Sequence, residues 1–168
     1  MIRPLLLSLL LLAGCATYPP PAVRPDPSTI ATFAFQGRLT VRQGDSRHHV
    51  NIDWRHDPAG DEILLTTPLG QGVAEITRDA GGARLRLADR RHFEADDWDG
   101  LSERVFGFRL PLRDSSSWLL GEMAGGEGWR IRVTERESDA PGALPAVIEL
   151  ERDDIHVQLK IDEWVEAK

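Results

Sequence analysis

The feature of this sequence that most constrains its fold is a strict alternation of apolar and polar residues. In residues 33–41, one face of an extended chain would carry the apolar side chains of Phe33, Phe35, Leu39 and Val41, with mostly polar residues between them. A period of two with one apolar face is typical of half-buried strands in an antiparallel sheet. The pattern therefore indicates a mainly β fold.

The alternation returns in short segments along the rest of the chain, with turn signals between them. We predict about nine short strands in all, a number typical of a sandwich or a barrel. After the first strand, the predicted strands cover residues 50–54, 62–66, 73–78, 83–87, 91–95, 129–134, 146–151 and 154–164. The segment 135–145 mixes charges with two prolines and is predicted to be an exposed loop.

Two stretches break the alternation and predict short helices. In residues 96–107 the apolar residues recur at helical spacing, Asp96 or Asp97 is suited to cap the first turn, and Gly107 is suited to end the last. A second helix is predicted over residues 114–120. Small helices of this kind would cover the open side of a curved sheet, and such a sheet leaves an apolar concavity that typically holds a hydrophobic ligand.

The first fourteen residues have the features of a signal peptide. Arg3 precedes an apolar run over residues 5–12, and small residues follow before Cys15. A transmembrane anchor is the alternative, but it needs about 20 apolar residues, more than this run provides. The segment 12–15 (LAGC) resembles the bacterial lipobox, in which cleavage falls before the cysteine and that residue becomes acylated. We therefore predict a signal peptide over 1–14 and lipidation at Cys15.

The residues that follow the cysteine predict a tether. Five of the eleven residues from 17 to 27 are prolines, a composition that favours a stiff, extended chain. Residue 16 is Ala, and the absence of Asp next to the acylated cysteine favours the outer membrane. We expect residues 15–27 to form the lipidated tether and residues 28–168 a single folded domain, which the chain length permits.

Composition and motifs exclude several functions. A net charge of -7 argues against a nucleic-acid binder, which needs a basic surface. The five histidines lack the spacing of a zinc site, and no nucleophile or phosphate-loop motif is present, so we expect no catalytic residue, metal or cofactor. A hydrolase that uses a pair of carboxylates stays open as an alternative, because such a pair leaves little sequence signature.

The loop that carries Pro68, Leu69 and Gly70 is unusual because an apolar residue occupies its predicted tip. It joins two predicted strands, so Leu69 would face water between two residues that constrain the backbone. Leu69 either packs back on the domain or inserts into a membrane. One inserted leucine contributes about 1.5 to 3 kcal/mol, enough to bias how a tethered domain touches a bilayer.

Taken in order, several motifs resemble the LolB family of outer-membrane lipoprotein receptors. They are the lipobox at Cys15, residues 35–41 (FQGRLTV), the strand of Trp54, residues 64–70 (LLTTPLG), 110–112 (LPL), 118–121 (WLLG) and 159–164 (LKIDEW). The resemblance implies an incomplete, half-open antiparallel barrel with a small helical lid over a hydrophobic cavity. It also implies a non-enzymatic function, in which lipoproteins are accepted from the periplasmic carrier LolA and inserted into the outer membrane.

The same resemblance implies partners and sites. The partners would be a LolA-like carrier, the acyl chains of cargo lipoproteins and outer-membrane lipid, met by an anchored monomer that faces the periplasm. Leu69 matches the apolar residue of the family's protruding insertion loop. The candidates for lining the acyl-chain cavity are Phe33, Phe35, Leu39, Trp54 and Trp118.

The chain differs from the family at one place, and one other function stays open as an alternative. Family members often have an amphipathic helix before the first strand, whereas here only residues 28–32 separate the tether from it. The lid would then be one helix smaller. The alternative is a structural or assembly lipoprotein that binds a protein partner through its apolar face.

Overall fold

One antiparallel sheet of nine strands organises the part of the chain that the structure describes. That part, in this computed structural model, comprises residues 26–122, 126 and 128–168, so the predicted signal peptide, Cys15 and most of the predicted tether lie outside it. The strands are β1 (Phe33–Gln43), β2 (Ser46–Asp57), β3 (Gly60–Thr66), β4 (Gly72–Asp79), β5 (Gly82–Leu87), β6 (His92–Ala95), β7 (Arg130–Arg136), β8 (Pro145–Arg152) and β9 (Ile155–Ala167).

The sheet is open, because its two outermost strands do not pair with each other. The strand order is β6-β5-β4-β3-β2-β1-β9-β8-β7, so the last strand in the chain pairs with the first. The pairing of β1 with β9 shifts register twice, and at Gly37 an added Cβ would lie 2.3 Å from the carbonyl oxygen of Lys160. Only glycine fits there, and such bulges bend a sheet. The mainly β, half-open fold that the sequence predicts is confirmed.

Two short helices lie between β6 and β7, where the sequence predicts them. They are α1 (Trp98–Phe106) and α2 (Ser115–Leu119), and together they are called the lid below. The Asp97 side chain accepts a hydrogen bond from the Gly100 amide at 2.8 Å, and Gly107 ends α1 with a left-handed φ of 79°. Trp98, Leu101 and Trp118 are buried, so both helices pack on the core.

The two ends of the sheet differ in what they carry. The backbone of Lys168 exchanges hydrogen bonds with Thr32, and Phe33 pairs in register with His56 near the β2–β3 turn. We call this end the terminal end. The loop that follows Thr66 leaves β3 at the opposite end, called here the loop end.

One loop prediction is partly wrong. Within residues 135–145, β7 continues to Arg136 and β8 begins at Pro145, while Leu144 is completely buried. A polar segment with one or two apolar residues has no periodicity that would reveal their burial. Before β1, the described chain holds one 3-10 turn over Pro27–Thr29, and Asp26 caps it by accepting from the Ser28 amide at 3.0 Å.

Candidate functional site

The inner face of the sheet carries a continuous row of apolar side chains. The row crosses seven neighbouring strands in register, from β9 to β6, and all its members are buried or partly buried. It consists of Trp164, Phe35, Trp54, Ile63, Ile76, Leu85 and Phe93. The register therefore identifies the buried, inner face, which alternation along a single strand leaves undetermined.

The opposite, outer face is polar and exposed. Gln36 donates to Asp53 across two strands at 3.0 Å, and Arg38 forms an ion pair with Asp162 at 2.6 Å. Two apolar side chains on this face are exposed, Leu64 at 46% and Val165 at 60%. Two faces of such different character mean that an apolar ligand would bind on the inner side.

Four of the five predicted cavity residues meet in one cluster on the inner face. Phe33, Phe35, Trp54 and Trp118 are each at most 3% exposed. Ring centroids are 6.3 Å apart for Phe33 and Phe35, 5.9 Å for Phe35 and Trp54, and 6.4 Å for Trp54 and Trp118. With Trp164, these residues form what we call the aromatic cluster.

Two more side chains of the inner face concern this prediction: Leu39, the fifth candidate, and Trp164, which was not predicted. Leu39 is partly buried on the same face, but it pairs with Val50 and Leu159, away from the aromatic cluster. Trp164 was not among the cavity candidates, yet its ring centroid lies 5.3 Å from that of Phe35. The signal for Trp164 was its position opposite Phe35, which requires knowledge of the β1–β9 register.

Trp118 is the member of the aromatic cluster that comes from the lid. Its indole N–H donates to the carbonyl oxygen of Pro111, in the link between the helices, at 2.8 Å. Its ring meets that of Trp54 edge-on, with an interplanar angle of 81°. Aromatic pairs favour this edge-to-face arrangement. The inner face is thus closed by an aromatic contact between α2 and β2.

A buried carboxylate anchors Trp54 from the other side. Asp61 Oδ1 accepts from Trp54 Nε1 at 3.0 Å and from His56 Nδ1 at 2.7 Å, and Oδ2 accepts from Arg78 Nε at 2.6 Å. Burial alone would raise the pKa of Asp61, but the hydrogen bonds from His56, Trp54 and Arg78 outweigh it and hold that pKa below its ordinary value. Alternation along single strands does not reveal this network.

The β3–β4 loop holds Leu69 away from the domain. The Thr67 amide donates to the Gln71 carbonyl and the Gly70 amide to the Thr67 carbonyl, both at 2.8 Å, and Gly70 has a φ of 82°. Leu69 itself is 90% exposed, so it does not pack back on the domain. Pro68 lines a shallow pocket against Leu39 and Asn51. Backbone hydrogen bonds thus support a loop whose tip is apolar.

Within residues 26–122, 126 and 128–168 there is neither a group of metal ligands nor a helix that could span a membrane. Among them, no three His, Cys, Asp or Glu side chains lie close enough together to hold a metal ion. None of the helices within these ranges has the length and apolar character needed to cross a membrane.

Comparison with known proteins identifies the family. The family model described as outer membrane lipoprotein LolB matches residues 31–164. The outer-membrane lipoprotein LolB of Chromobacterium violaceum is 37% identical, over 96% of this chain and 98% of the relative. The proteins of the same name from Dechloromonas aromatica and Azoarcus sp. are 35% and 31% identical, over 97% and 92% of this chain and 96% and 89% of theirs. The chain belongs to the LolB family.

Proposed function

We propose that this chain takes acylated lipoproteins from a LolA-like periplasmic carrier, holds their acyl chains against its inner face and inserts them into the outer membrane. As a LolB-family member it is an outer-membrane lipoprotein receptor. The observation that carries the finer proposal is the row of apolar side chains across seven strands, closed by the contact between Trp54 and Trp118.

The energetics of acyl transfer favour a surface of this kind. Each methylene exposed to water costs about 0.8 kcal/mol, so a lipoprotein in transit needs an apolar surface throughout. In the structure, where the lid packs on the sheet, the rings of Trp54 and Trp118 pack edge-to-face against each other. An acyl chain that enters between them replaces one apolar contact with another, and the exchange breaks no covalent bond. The receptor therefore needs neither a catalytic group nor a nucleotide.

Attachment to the membrane is assigned to Cys15. The cysteine is the only one in the chain and ends the lipobox-like segment 12–15. A single acyl chain gives marginal binding and two signals anchor stably, so a fully acylated cysteine would hold the domain at the membrane. The proline-rich residues 17–27 would act as the spacer, with the domain facing the periplasm.

Insertion is assigned to Leu69. Its side chain is 90% exposed on a loop that its own backbone hydrogen bonds hold in shape. Burying one leucine in a bilayer contributes about 1.5 to 3 kcal/mol, which is too little to anchor the protein. It is enough to favour orientations in which the loop contacts the bilayer while cargo leaves.

The decisive experiment follows a lipoprotein from carrier to membrane. The full-length acylated protein is reconstituted in liposomes, a LolA-bound lipoprotein is added, and membrane-inserted cargo is separated by flotation. We expect insertion that depends on the receptor. The Leu69→Glu variant should still capture cargo but should lose about 90% of insertion, because a carboxylate at the tip opposes membrane contact.

A matched control places the same charge at another exposed leucine. Leu64 lies on the outer face of β3, just before the loop, and Leu64→Glu should insert cargo at the wild-type rate. Normal insertion by Leu69→Glu would show that the loop has only a structural role. If the wild-type protein captures no cargo and instead holds a protein partner without displacing lipid, the alternative of an assembly lipoprotein is correct.

A further inference from the structure

We propose that Asp61 is a positioning residue that keeps Trp54 fixed on the sheet when the lid moves away to admit an acyl chain. The inference rests on the proposed function, because it assigns Trp54 to the wall of the acyl-chain site. It concerns a buried carboxylate in a short polar row at one end of the inner face.

The first step is the position of the polar residues. His56, Asp61 and Arg78 are direct neighbours in register on β2, β3 and β4, and Phe33 continues the same row on β1. The next row towards the loop end contains Phe35, Trp54 and other apolar residues. A short polar row therefore borders the aromatic cluster at the terminal end of the inner face.

The second step is the cost of burying this carboxylate. The Asp61 side chain is 1% exposed, and an ionised group is stable in such a place only when donors satisfy its oxygens. Three donors do so, and one of them is the indole N–H of Trp54. Because the Trp54 ring has few other ways to satisfy its N–H inside an apolar face, the carboxylate fixes its orientation.

The same carboxylate reaches a second aromatic ring through His56. The His56 ring stacks on Phe33, with centroids 4.7 Å apart and planes inclined by 22°. Its Nδ1 lies 2.7 Å from Asp61 Oδ1. Asp61 thus holds Trp54 directly and Phe33 through His56, and both rings belong to the aromatic cluster.

The two indoles at the boundary between sheet and lid form their hydrogen bonds on opposite sides of that boundary. Trp54 donates its N–H to Asp61 on β3, whereas Trp118 donates its N–H to Pro111, next to α2. Their rings touch only edge-on. The lid therefore leaves the sheet without breaking either hydrogen bond, so that Trp118 moves with the lid and Trp54 remains as a fixed wall.

The test uses the mature, acylated protein in liposomes and a lipoprotein whose acyl chains carry a diazirine photo-crosslinker. The cargo is delivered on a LolA-type carrier, and the receptor–cargo adduct is measured against cargo concentration. Asp61→Ala should weaken capture about five- to tenfold, the size expected for the net loss of one typical hydrogen bond. In a Trp54→Phe background, the same substitution should weaken capture less than about twofold, because its target is gone.

An aspartate on the outer face provides the control for this double-mutant cycle of Asp61 and Trp54. Asp162 pairs with Arg38 on the exposed outer face, and Asp162→Ala should leave capture within about twofold of wild type. Equal losses from Asp61→Ala in both backgrounds, or no loss in either, would overturn the proposal. If the wild type itself captures no cargo, the proposed function fails; if only the Asp61 effect is absent, this inference alone fails.

A second measurement needs no variant at Asp61 and so holds even if Asp61→Ala does not fold. The indole N–H of Trp54 is followed by hydrogen exchange in 15N-tryptophan-labelled wild-type protein in nanodiscs, with Trp54→Phe assigning the signal. We expect protection to change less than about twofold between the empty and the cargo-loaded protein. Loss of protection on loading would show that Trp54 leaves Asp61, and would overturn the inference.

Discussion

Two leucines of this chain have opposite surroundings. Leu159, on β9, is 2% exposed and pairs with Leu39 on the inner face. Leu69, at the tip of the β3–β4 loop, is 90% exposed and is carried by a loop that its own backbone hydrogen bonds and one from the Asn51 side chain hold in shape. The first contributes to folding by leaving water, whereas the second gains nothing from folding.

The difference in burial between Leu159 and Leu69 distinguishes apolar residues that stabilise the domain from an apolar residue that is available to a partner outside the domain. Burial of a leucine stabilises a fold by about 1.5 to 3 kcal/mol, and exposure at a loop tip contributes almost none of this. The inner face has both roles under the proposed function, since its residues form the core until the lid opens. Substitutions should therefore affect stability and transfer to different degrees in the two regions.

The largest expected effect on stability is at the inner face. Leu159→Ala should lower the free energy of unfolding by about 3 kcal/mol, because it removes buried methylenes and leaves a cavity on the inner face of the sheet. Urea denaturation, followed by tryptophan fluorescence, measures the change. Leu64→Ala, on the outer face, is the control and should change it by less than about 0.5 kcal/mol. A loss below about 1 kcal/mol for Leu159→Ala would mean that the inner face is loosely packed.

The next effect is at the polar row that borders this face, and it depends on pH. Because the pKa of Asp61 is lowered in the folded protein, the unfolded state binds more protons in acid. The stabilisation is complete above the ordinary pKa of an aspartate and is lost as the pH falls through the lowered pKa of the folded state. Asp61→Asn should cost about 1 to 3 kcal/mol at pH 7, and less in acid.

Urea denaturation of both proteins between pH 7 and pH 2.5 provides the comparison. The two stability curves should converge as the pH falls, since protonated Asp61 no longer binds His56 and Arg78 as a charged group. Asp162→Asn, on the outer face, serves as the control. Parallel curves for wild type and Asp61→Asn would contradict the assignment of the ionised form.

The smallest effect on stability is at the loop. Leu69→Ala should change the free energy of unfolding by less than about 0.5 kcal/mol, because the side chain makes almost no contact with the domain. Thermal and urea unfolding should both match wild type. A loss above about 1 kcal/mol would remove the contrast with Leu159 and show that the loop tip packs in solution.

The sequence predicted those elements whose signals are local. Strands followed from alternation, and the ends of α1 followed from Asp97 and Gly107, because a cap depends on residues within one turn. Phe33 and Phe35 lie together for the same reason, since they share one face of β1, whereas Trp54 joins them through the β1–β2 register and Trp118 through the packing of α2. The exposed position of Leu69 was also predictable from its place between two strands.

What the sequence did not reveal depends on register between strands. Alternation places Asp61 on the same face as Ile63, but only the pairing of β2, β3 and β4 shows that His56 and Arg78 meet it. A charged residue in phase with the buried side of a strand was the available signal. Trp164 was missed for the same reason, because its neighbour Phe35 is more than 120 residues away in the chain.

The positions of the terminal end and the loop end also limit how the domain stands on a membrane. Eleven residues lead from Cys15 to Asp26, and even fully extended they reach at most about 36 to 40 Å. The five-residue step from Asp61 to Thr66 measures about 17 Å along β3, and Leu69 lies beyond it. If Cys15 is the anchor, as proposed, the chain that follows it joins the domain at the terminal end, whereas Leu69 lies beyond the loop end.

Under the proposed function, the anchor and Leu69 contact the same leaflet only if the connecting residues are long enough to span the length of the sheet. The maximum reach of the connecting residues is about twice the distance along β3. This reach would allow the loop end to face the membrane, and it would limit how far the domain moves away from the membrane. Under the proposed function, the length of this segment therefore limits the distance from the membrane at which cargo is transferred.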